Sequence, residues 1–208
     1  MIQLSTSGAE ISLTDDGLAS LQREFSERHC LRLPGLLSPA LLTQLLSRLE
    51  RAQFDEAEYD GVGRDLCMTD NTVLRALHFV VNDPVWLRTV ESITGSGPLG
   101  CYLGRVYRML PGSGHAEDWH DDISGTRRVG MSLNLSSAPF DGGEFELRYY
   151  GEEAVRLKVH NIGPGDAILF PITNTLQHRV LPVTGSAPKT AFAGWFRTEP
   201  QYWEGLQE

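Results

Sequence analysis

The chain of 208 residues carries a formal net charge of −9, with 41% hydrophobic and 22% charged residues. This balance is typical of a folded globular protein, and the negative charge argues against non-specific binding to nucleic acid or to an anionic membrane surface. We expect a single domain over residues 1–208, with a helix-rich part over residues 1–98 and a β-rich core over residues 99–197.

The compartment is predicted from three features of the sequence. The N-terminus lacks the basic and apolar segments of a signal peptide, and no apolar run reaches the length of about 18 residues that a membrane span needs. Cys30, Cys67 and Cys101 form no Cys-x-x-Cys pair, which is typical of free thiols in a reducing compartment. Together these features predict a cytoplasmic protein with no membrane partner.

The first part of the chain shows the spacing of amphipathic helices. Thr14 precedes two acidic residues and a run of leucines at spacings of three and four, which predicts a capped helix start. Ser38 is the predicted cap of a second helix over residues 39–53, which has proline at its first position. The remaining elements expected here are a short strand over residues 30–33 and two helices over Asn71–Val81 and Pro84–Thr94.

Residues 54–70 are acidic, contain glycine and show no periodicity, which predicts a long loop. Loops of this length are frequently lids. We expect the segment either to border the mouth of a pocket together with residues 113–117 and to order when substrate binds, or to be a mobile loop remote from the site.

The sequence pattern changes after Gly100, where short runs of β-forming residues alternate with turn-forming residues. Such spacing predicts an α+β protein with a mainly β core, built as a sandwich or jelly roll. The predicted strands cover residues 102–110, 128–135, 144–150, 154–160, 167–170, 179–183 and 190–197.

His120, Asp122 and the distant His178 form the most informative pattern of the chain. Two imidazoles and one carboxylate are the ligand set of the facial triad that binds non-haem Fe(II) and leaves positions open for reactants. In extended backbone the side chains of His120 and Asp122 would point to one face, so both could reach a metal from one strand end. His178 would then come from a neighbouring strand.

Other histidines offer fewer possibilities. His115 and Glu117 have the same His-x-carboxylate spacing, but they follow the turn at residues 111–114 too closely to make a good alternative pair. His160 precedes a Gly-Pro-Gly turn and is interpreted as structural, and Asp121 is expected to point away from the metal.

With these motifs the chain resembles the Fe(II)/2-oxoglutarate-dependent dioxygenases, and within them the prolyl-hydroxylase-like branch. The resemblance covers residues 99–197. Its motifs occur in the order 108–112 (RMLPG), 120–122 (HDD), 132–135 (SLNL), 142–147 (GGEFEL), 163–170 (GPGDAILF), His178, 182–183 (PV), Lys189 and 195–196 (WF).

The resemblance implies a double-stranded β-helix with the N-terminal helices packed on one sheet. It also implies Fe(II), 2-oxoglutarate and O2, with ascorbate as a reductant, in the hydroxylation of a C–H bond that releases succinate and CO2. Because Asp122 is present, oxygenation is expected rather than the halogenation of relatives that lack this carboxylate.

The resemblance further suggests which residues bind 2-oxoglutarate. Lys189 lies eleven residues after His178, where relatives have nine or ten, and six before Trp195, as in relatives. Ser132 stands where many relatives have a tyrosine, and Tyr107 or Tyr102 could compensate from the next strand. The remaining candidates on the cosubstrate side are Phe145 and Thr190.

The substrate is not fixed by these motifs; it could be a small molecule or a peptidyl residue. Arg105 and Arg128, with Arg108 and Arg127 nearby, either recognise a substrate anion or form local ion pairs. Trp195 either walls the iron site or packs in the core.

Two other functions share this fold. One is a cupin-like metal-binding or sensory protein without turnover, and the other is a zinc or nickel isomerase or hydrolase. A cation at Lys189 favours the oxygenase, since the first of these has no need of it.

Overall fold

A computed structural model describes residues 1–200 of the chain, and four helices lie within them. Asp83 caps the last helix by accepting hydrogen bonds from the backbone N–H of Val85 and Trp86 at 2.7 and 3.3 Å, and Gly95 ends it at a φ of 65°. None of these helices is long and apolar enough to cross a membrane. The helices are α1 (Asp15–Arg28), α2 (Pro39–Leu49), α3 (Asn71–Val81) and α4 (Pro84–Thr94).

The strands of the described residues form one large antiparallel sheet and two small two-stranded sheets. They are β1 (Ile2–Ser5), β2 (Gly8–Ile11), β3 (Leu31–Leu33), β4 (Phe54–Tyr59), β5 (Gly63–Met68), β6 (Cys101–Met109), β7 (Ala116–His120), β8 (Arg127–Asn134), β9 (Asp141–Gly142), β10 (Phe145–Tyr149), β11 (Leu157–Val159), β12 (Ala167–Pro171), β13 (Leu176–Val180), β14 (Val183–Thr184) and β15 (Lys189–Arg197). The two small sheets pair β1 with β2 and β9 with β14.

The large sheet curls back on itself. Its strand order is β11-β10-β13-β7-β5-β6-β15-β8-β12-β3, with β4 attached to β5. Although β10 and β12 are far apart in this order, the rings of Phe145 and Phe170 meet at a centroid distance of 4.7 Å. The two ends of the sheet therefore face each other, which is the predicted double-stranded β-helix.

The helices cover the outer face of β6, β15 and β8. Period-two alternation sends Phe192 and Phe196 of β15 to this face, where both are fully buried together with Trp86 of α4 and Tyr102 of β6. The rings of Trp86 and Phe196 pack edge to face at 6.3 Å. The inner face of the same strands is thereby left to line a cavity.

The loop expected over residues 54–70 is wrong, because β4 and β5 form an antiparallel hairpin there. Strand β5 also pairs with β6 and β7, so the segment is part of the sheet. Its alternation is hidden because Asp65 is fully buried, where a sequence pattern would require an apolar residue. The buried carboxylate is held by Arg105 at 2.6 Å.

Close approach of β6 and β15 depends on glycine at position 194, which lies opposite Gly104. A Cβ atom at position 194 would overlap the carbonyl oxygen of Leu103, whereas a Cβ at Gly125, in the turn before β8, would meet nothing within 4 Å.

We expect Gly194→Ala to lower the free energy of unfolding by about 1–3 kcal/mol, as overpacking of a closed site does. Gly125→Ala should change it by less than about 0.5 kcal/mol, as for an uncrowded surface position. Urea unfolding measures both, and equal stability of the two variants would contradict the close approach.

Candidate active site

A cavity of about 230 Å³ opens between the two layers of the curled sheet. The three predicted metal ligands line this cavity, and Lys189 lines a different part of the same cavity. Its polar and aromatic lining includes Tyr59, Arg105, Tyr107, Glu117, His120, Asp122, Arg127, Ser132, Phe145, Phe170, His178, Lys189 and Trp195.

The structure brings the predicted triad together. His120 ends β7 and stands directly opposite His178 of β13 in the antiparallel ladder. Oδ2 of Asp122 lies 3.6 Å from Nε2 of His120 and 3.2 Å from Nε2 of His178, and one ligand atom from each residue lies within 4.8 Å of the others. Ligands about 2.1 Å from a shared metal would stand roughly 3 Å apart at right angles, so these residues fit a metal ion with little rearrangement.

Asp122 reaches this position by a route that the extended-strand argument did not foresee. Strand β7 ends at His120, and Asp122 adopts a left-handed conformation with φ 58°. Such a φ is uncommon for a residue other than glycine, although aspartate tolerates it better than most. The carboxylate is therefore turned back towards the imidazoles by the loop. Asp121 instead accepts a hydrogen bond from the N–H of Ile123 at 3.0 Å.

A β-bulge in β7 adds Glu117 to the same wall. His178 pairs with His120, but Val180 pairs with Glu117, so an advance of two residues along β13 matches an advance of three residues along β7. Bulges re-aim side chains in this way beside active sites. Glu117 therefore faces the cavity with His120, which sequence reasoning missed because alternation alone places them on opposite faces.

Hydrogen bonding prepares His120 to bind through one nitrogen. Its Nδ1 donates to the carbonyl of Asp118 at 2.6 Å, which leaves Nε2 free to face Asp122. Burial lowers the pKa of His120, but Asp122 and the Asp118 carbonyl more than offset this and raise it. Burial likewise raises the pKa of Asp122, yet its contacts with His120 and His178 hold it well below the usual range. Burial lowers the pKa of His178.

The alternative pair of His115 and Glu117 is not assembled. His115 is buried; its Nδ1 accepts from the N–H of Leu110 at 3.1 Å, and its Nε2 lies 3.3 Å from Glu56. Over residues 1–200, only His120, Asp122 and His178 form a group that could hold a metal ion. His115 is thus a structural residue of the turn before β7.

Lys189 is a buried cation at the start of β15. Its Nζ donates to the carbonyl of Gly143 at 2.8 Å, and within residues 1–200 no carboxylate lies within 4.0 Å of it. Burial lowers the pKa of Lys189 to about 8. Gly143 has a φ of 63°, and a Cβ there would stand 3.0 Å from the Lys189 side chain, so glycine also makes room for the lysine.

Three further predicted residues of the cosubstrate side line the cavity and one does not. Ser132, Tyr107 and Phe145 are on its wall, and the Phe145 ring stacks on His178 at a centroid distance of 5.6 Å. The assignment of Thr190 is wrong, because successive residues of β15 face opposite sides. Its hydroxyl accepts instead from Nε of Arg108 at 3.0 Å.

Of the predicted substrate residues, Arg105 and Trp195 line the cavity and Arg128 does not. Arg128 donates to the carbonyls of Gly125 and Arg127, and Arg127 faces the cavity in its place, since adjacent strand residues point apart. Arg105 is held by Asp65 at 2.6 Å and Glu117 at 3.2 Å.

The β4–β5 hairpin borders the cavity through Tyr59 and Val62. Arg64 joins it to the segment before β7 by donating to the carbonyl of Ser113 at 2.7 Å. Ordering of this hairpin on substrate binding stays a prediction, which hydrogen exchange of residues 54–70 with and without substrate would test.

The residues that build the cavity are those that carry a family resemblance. Residues 104–197 match the family model of the 2OG-Fe(II) oxygenase superfamily. The chain is similar to this superfamily over that segment, and its His-Asp-His donor set fits the iron of the superfamily. It is a 2-oxoglutarate-dependent dioxygenase. A search of curated proteins finds no match to the chain.

Several solved structures share the fold. A prolyl-4-hydroxylase from Pseudomonas putida is 16% identical, with a TM-score of 0.64, over 86% of this chain and 98% of its own. A prolyl hydroxylase from Trichoplax adhaerens, in complex with a hypoxia inducible factor oxygen degradation domain peptide fragment, is 19% identical, with a TM-score of 0.58, over 90% and 94%. The non-heme α-ketoglutarate-dependent epimerase SnoN from nogalamycin biosynthesis is 11% identical, with a TM-score of 0.65, over 88% and 82%.

The left-handed conformation of Asp122 gives a direct test of the loop. Asp122→Gly and Asp122→Ala both remove the carboxylate, but only glycine adopts this φ without strain. In metal-free buffer we expect the glycine variant to be more stable to urea than the alanine variant by about 1 kcal/mol. The matched pair at Asp121, whose φ is not positive, should show the opposite order or no difference, and the same order at both positions would contradict the assigned backbone.

Proposed function

We propose that this dioxygenase hydroxylates a C–H bond of its substrate, with His120, Asp122 and His178 holding Fe(II) and Lys189 binding 2-oxoglutarate. One observation carries the proposal: three converging candidate metal donors share a cavity with a buried lysine that forms no salt bridge within 4.0 Å among residues 1–200. A buried charge is normally paired. A dicarboxylate held at the metal would supply the missing partner.

Bound Fe(II), with O2 and 2-oxoglutarate, would supply the oxidising chemistry. The protein's own residues hold and orient these groups. Lys189 can exchange the Gly143 carbonyl for the distal carboxylate of 2-oxoglutarate, and the hydroxyls of Ser132 and Tyr107 lie on the same wall. Phe145 and Phe170 pack against the ring of His178 and exclude water from this side.

The same lysine argues against a purely metal-binding jelly roll. Such a protein would gain nothing from burying an ammonium group whose pKa is depressed to about 8. The lysine is therefore best explained by an anionic ligand that enters the cavity.

The substrate is proposed to be either a peptidyl residue or a small molecule. Structures of similar fold come from both groups: the Trichoplax adhaerens enzyme was solved with a peptide fragment, and SnoN belongs to nogalamycin biosynthesis. On the open side of the cavity, Arg105 and Glu117 offer a cation and an anion to polar groups of either substrate class.

The activity is tested by succinate formation. Protein supplied with Fe(II), ascorbate, O2 and 2-oxoglutarate should form succinate slowly, and faster with peptides or small molecules from a panel that contains the substrate. Mass analysis should then show a gain of one oxygen.

We expect His178→Ala to abolish both succinate formation and Mn(II) binding, because it removes a ligand. His160→Ala is the matched control, since His160 is 78% exposed. Undiminished succinate formation by His178→Ala would refute the assigned ligands.

The buried lysine predicts a trade-off between binding and stability. Its pKa of about 8, against 10.5 when exposed, means that folding disfavours the charged form. Lys189→Met should therefore raise the free energy of unfolding of the cosubstrate-free protein by about 1–3 kcal/mol at pH 7, while 2-oxoglutarate should no longer raise its melting temperature.

The pH dependence follows from linkage. Between pH 8 and 10.5 the unfolded chain binds more protons than the folded one, so this group makes the wild type more stable as pH rises. The advantage of Lys189→Met should therefore shrink over that range. Lys158→Met should leave the response to 2-oxoglutarate intact, because Lys158 is exposed and already pairs with Glu144 and Glu146. A full thermal shift with 2-oxoglutarate in Lys189→Met would show that another cation binds it.

A further inference from the structure

The side chains of Trp195 and Arg127 both donate hydrogen bonds to the carboxylate of Asp122. Nε1 of Trp195 donates to Oδ2 at 2.7 Å. Nη1 of Arg127 donates to Oδ1 at 3.2 Å and also to the backbone carbonyl of Asp122 at 3.2 Å. The guanidinium of Arg127 lies over the Trp195 ring, 3.5 Å from its centroid, so the two residues form one unit, the Arg127–Trp195 pair.

The pair ties the loop to the opposite layer of the fold. Asp122 follows β7, whereas Arg127 begins β8 and Trp195 lies in β15, directly opposite Gly130 of β8. Strands β8 and β15 are backed by the helical core, so the donors stand on a rigid base. Asp122 itself lies outside regular structure at a φ of 58° and would otherwise have little to fix its carboxylate.

The two oxygens of Asp122 are used differently. Oδ2 faces Nε2 of His178 and Nε2 of His120 at 3.2 and 3.6 Å, and it also accepts the hydrogen bond from the indole N–H. Oδ1 is turned towards Arg127. A carboxylate whose second oxygen is held by a guanidinium presents one oxygen to a metal ion rather than two.

We infer that Arg127 and Trp195 are positioning residues that fix Asp122 as a single-oxygen ligand beside His120 and His178. The inference rests on the proposed function, because it assumes that these three residues bind the metal. With only one oxygen supplied by Asp122, the facial triad keeps positions open for reactants. Partners of this kind typically change metal affinity by 10–100-fold when they are removed.

Trp195→Phe tests the pair by removing the indole N–H while keeping an aromatic ring over the site. Arg127→Leu tests it from the other side, so the inference stays falsifiable if one variant does not fold. Trp119→Phe is the matched tryptophan control, since this indole lies between Arg148 and Arg179. Arg128→Leu is the matched arginine control, because the side chain of Arg128 donates to the carbonyls of Gly125 and Arg127 and, in the described part of the chain, to no carboxylate.

The readouts are the dissociation constants for Mn(II) and Co(II), the visible spectrum of the Co(II) protein and urea unfolding without metal. We expect Trp195→Phe and Arg127→Leu to weaken metal binding 10–100-fold and to change the Co(II) spectrum, with both controls unchanged. Metal affinity within twofold of wild type in both test variants, with an unaltered spectrum, would overturn the inference.

The experiment separates this inference from the proposed function. His178→Ala is measured alongside, and if it too leaves metal binding intact, the triad assignment itself fails. If His178→Ala abolishes binding while the test variants do not weaken it, only the positioning role is lost.

Discussion

The antiparallel pairing of β7 with β13 is the constraint on which the site depends. It sets His120 opposite His178, so two of the three proposed metal ligands come from neighbouring strands whose spacing is fixed by backbone hydrogen bonds. The bulge in the same ladder adds Glu117 to the wall, and the end of β7 at His120 releases the loop that carries Asp122. A slip of one residue between these strands would turn one imidazole out of the cavity.

Away from the three histidine and aspartate side chains, the cavity is lined by Lys189, whose charged form is disfavoured by burial. Lys189 is buried and its ammonium group has only the Gly143 carbonyl as a close acceptor in the described structure. Room for it is provided by a glycine in a left-handed turn, so the turn at Gly142-Gly143 and the lysine form one structural unit. The free protein thus carries a local instability that an anionic ligand would relieve, and binding and folding are linked at this residue.

Local signals predicted most of the elements, and non-local ones account for what they missed. The helices predicted over Asn71–Val81 and Pro84–Thr94 coincide with α3 and α4, because helix ends depend on residues such as Asp83, Pro84 and Gly95 that act within a few positions. The ordered motifs also predict the superfamily and the fold. The hairpin of β4 and β5 escaped prediction, since its buried Asp65 is compensated by Arg105 from a strand forty residues later.

In the site, too, local sequence signals predicted some features and contacts between distant residues determine the others. Spacing predicted the three residues that converge, but not the left-handed backbone of Asp122, whose carboxylate contacts Arg127 of β8 and Trp195 of β15. The choice between Arg127 and Arg128 depends on where β8 begins, and boundaries are the least certain part of a sequence prediction. Thr190 could have been excluded from sequence, because alternation along β15 places it on the face opposite Lys189.

The ion pair of Arg105 with Asp65 restricts how this wall of the cavity can change. Asp65 is fully buried, and within residues 1–200 its Oδ1 has no hydrogen-bond partner. Replacing Arg105 alone would strand a buried carboxylate, a loss that typically costs about 3–5 kcal/mol. A new substrate preference at this position would therefore require both residues to change together, whereas Glu117, which is partly exposed on the same wall, can vary by single substitutions.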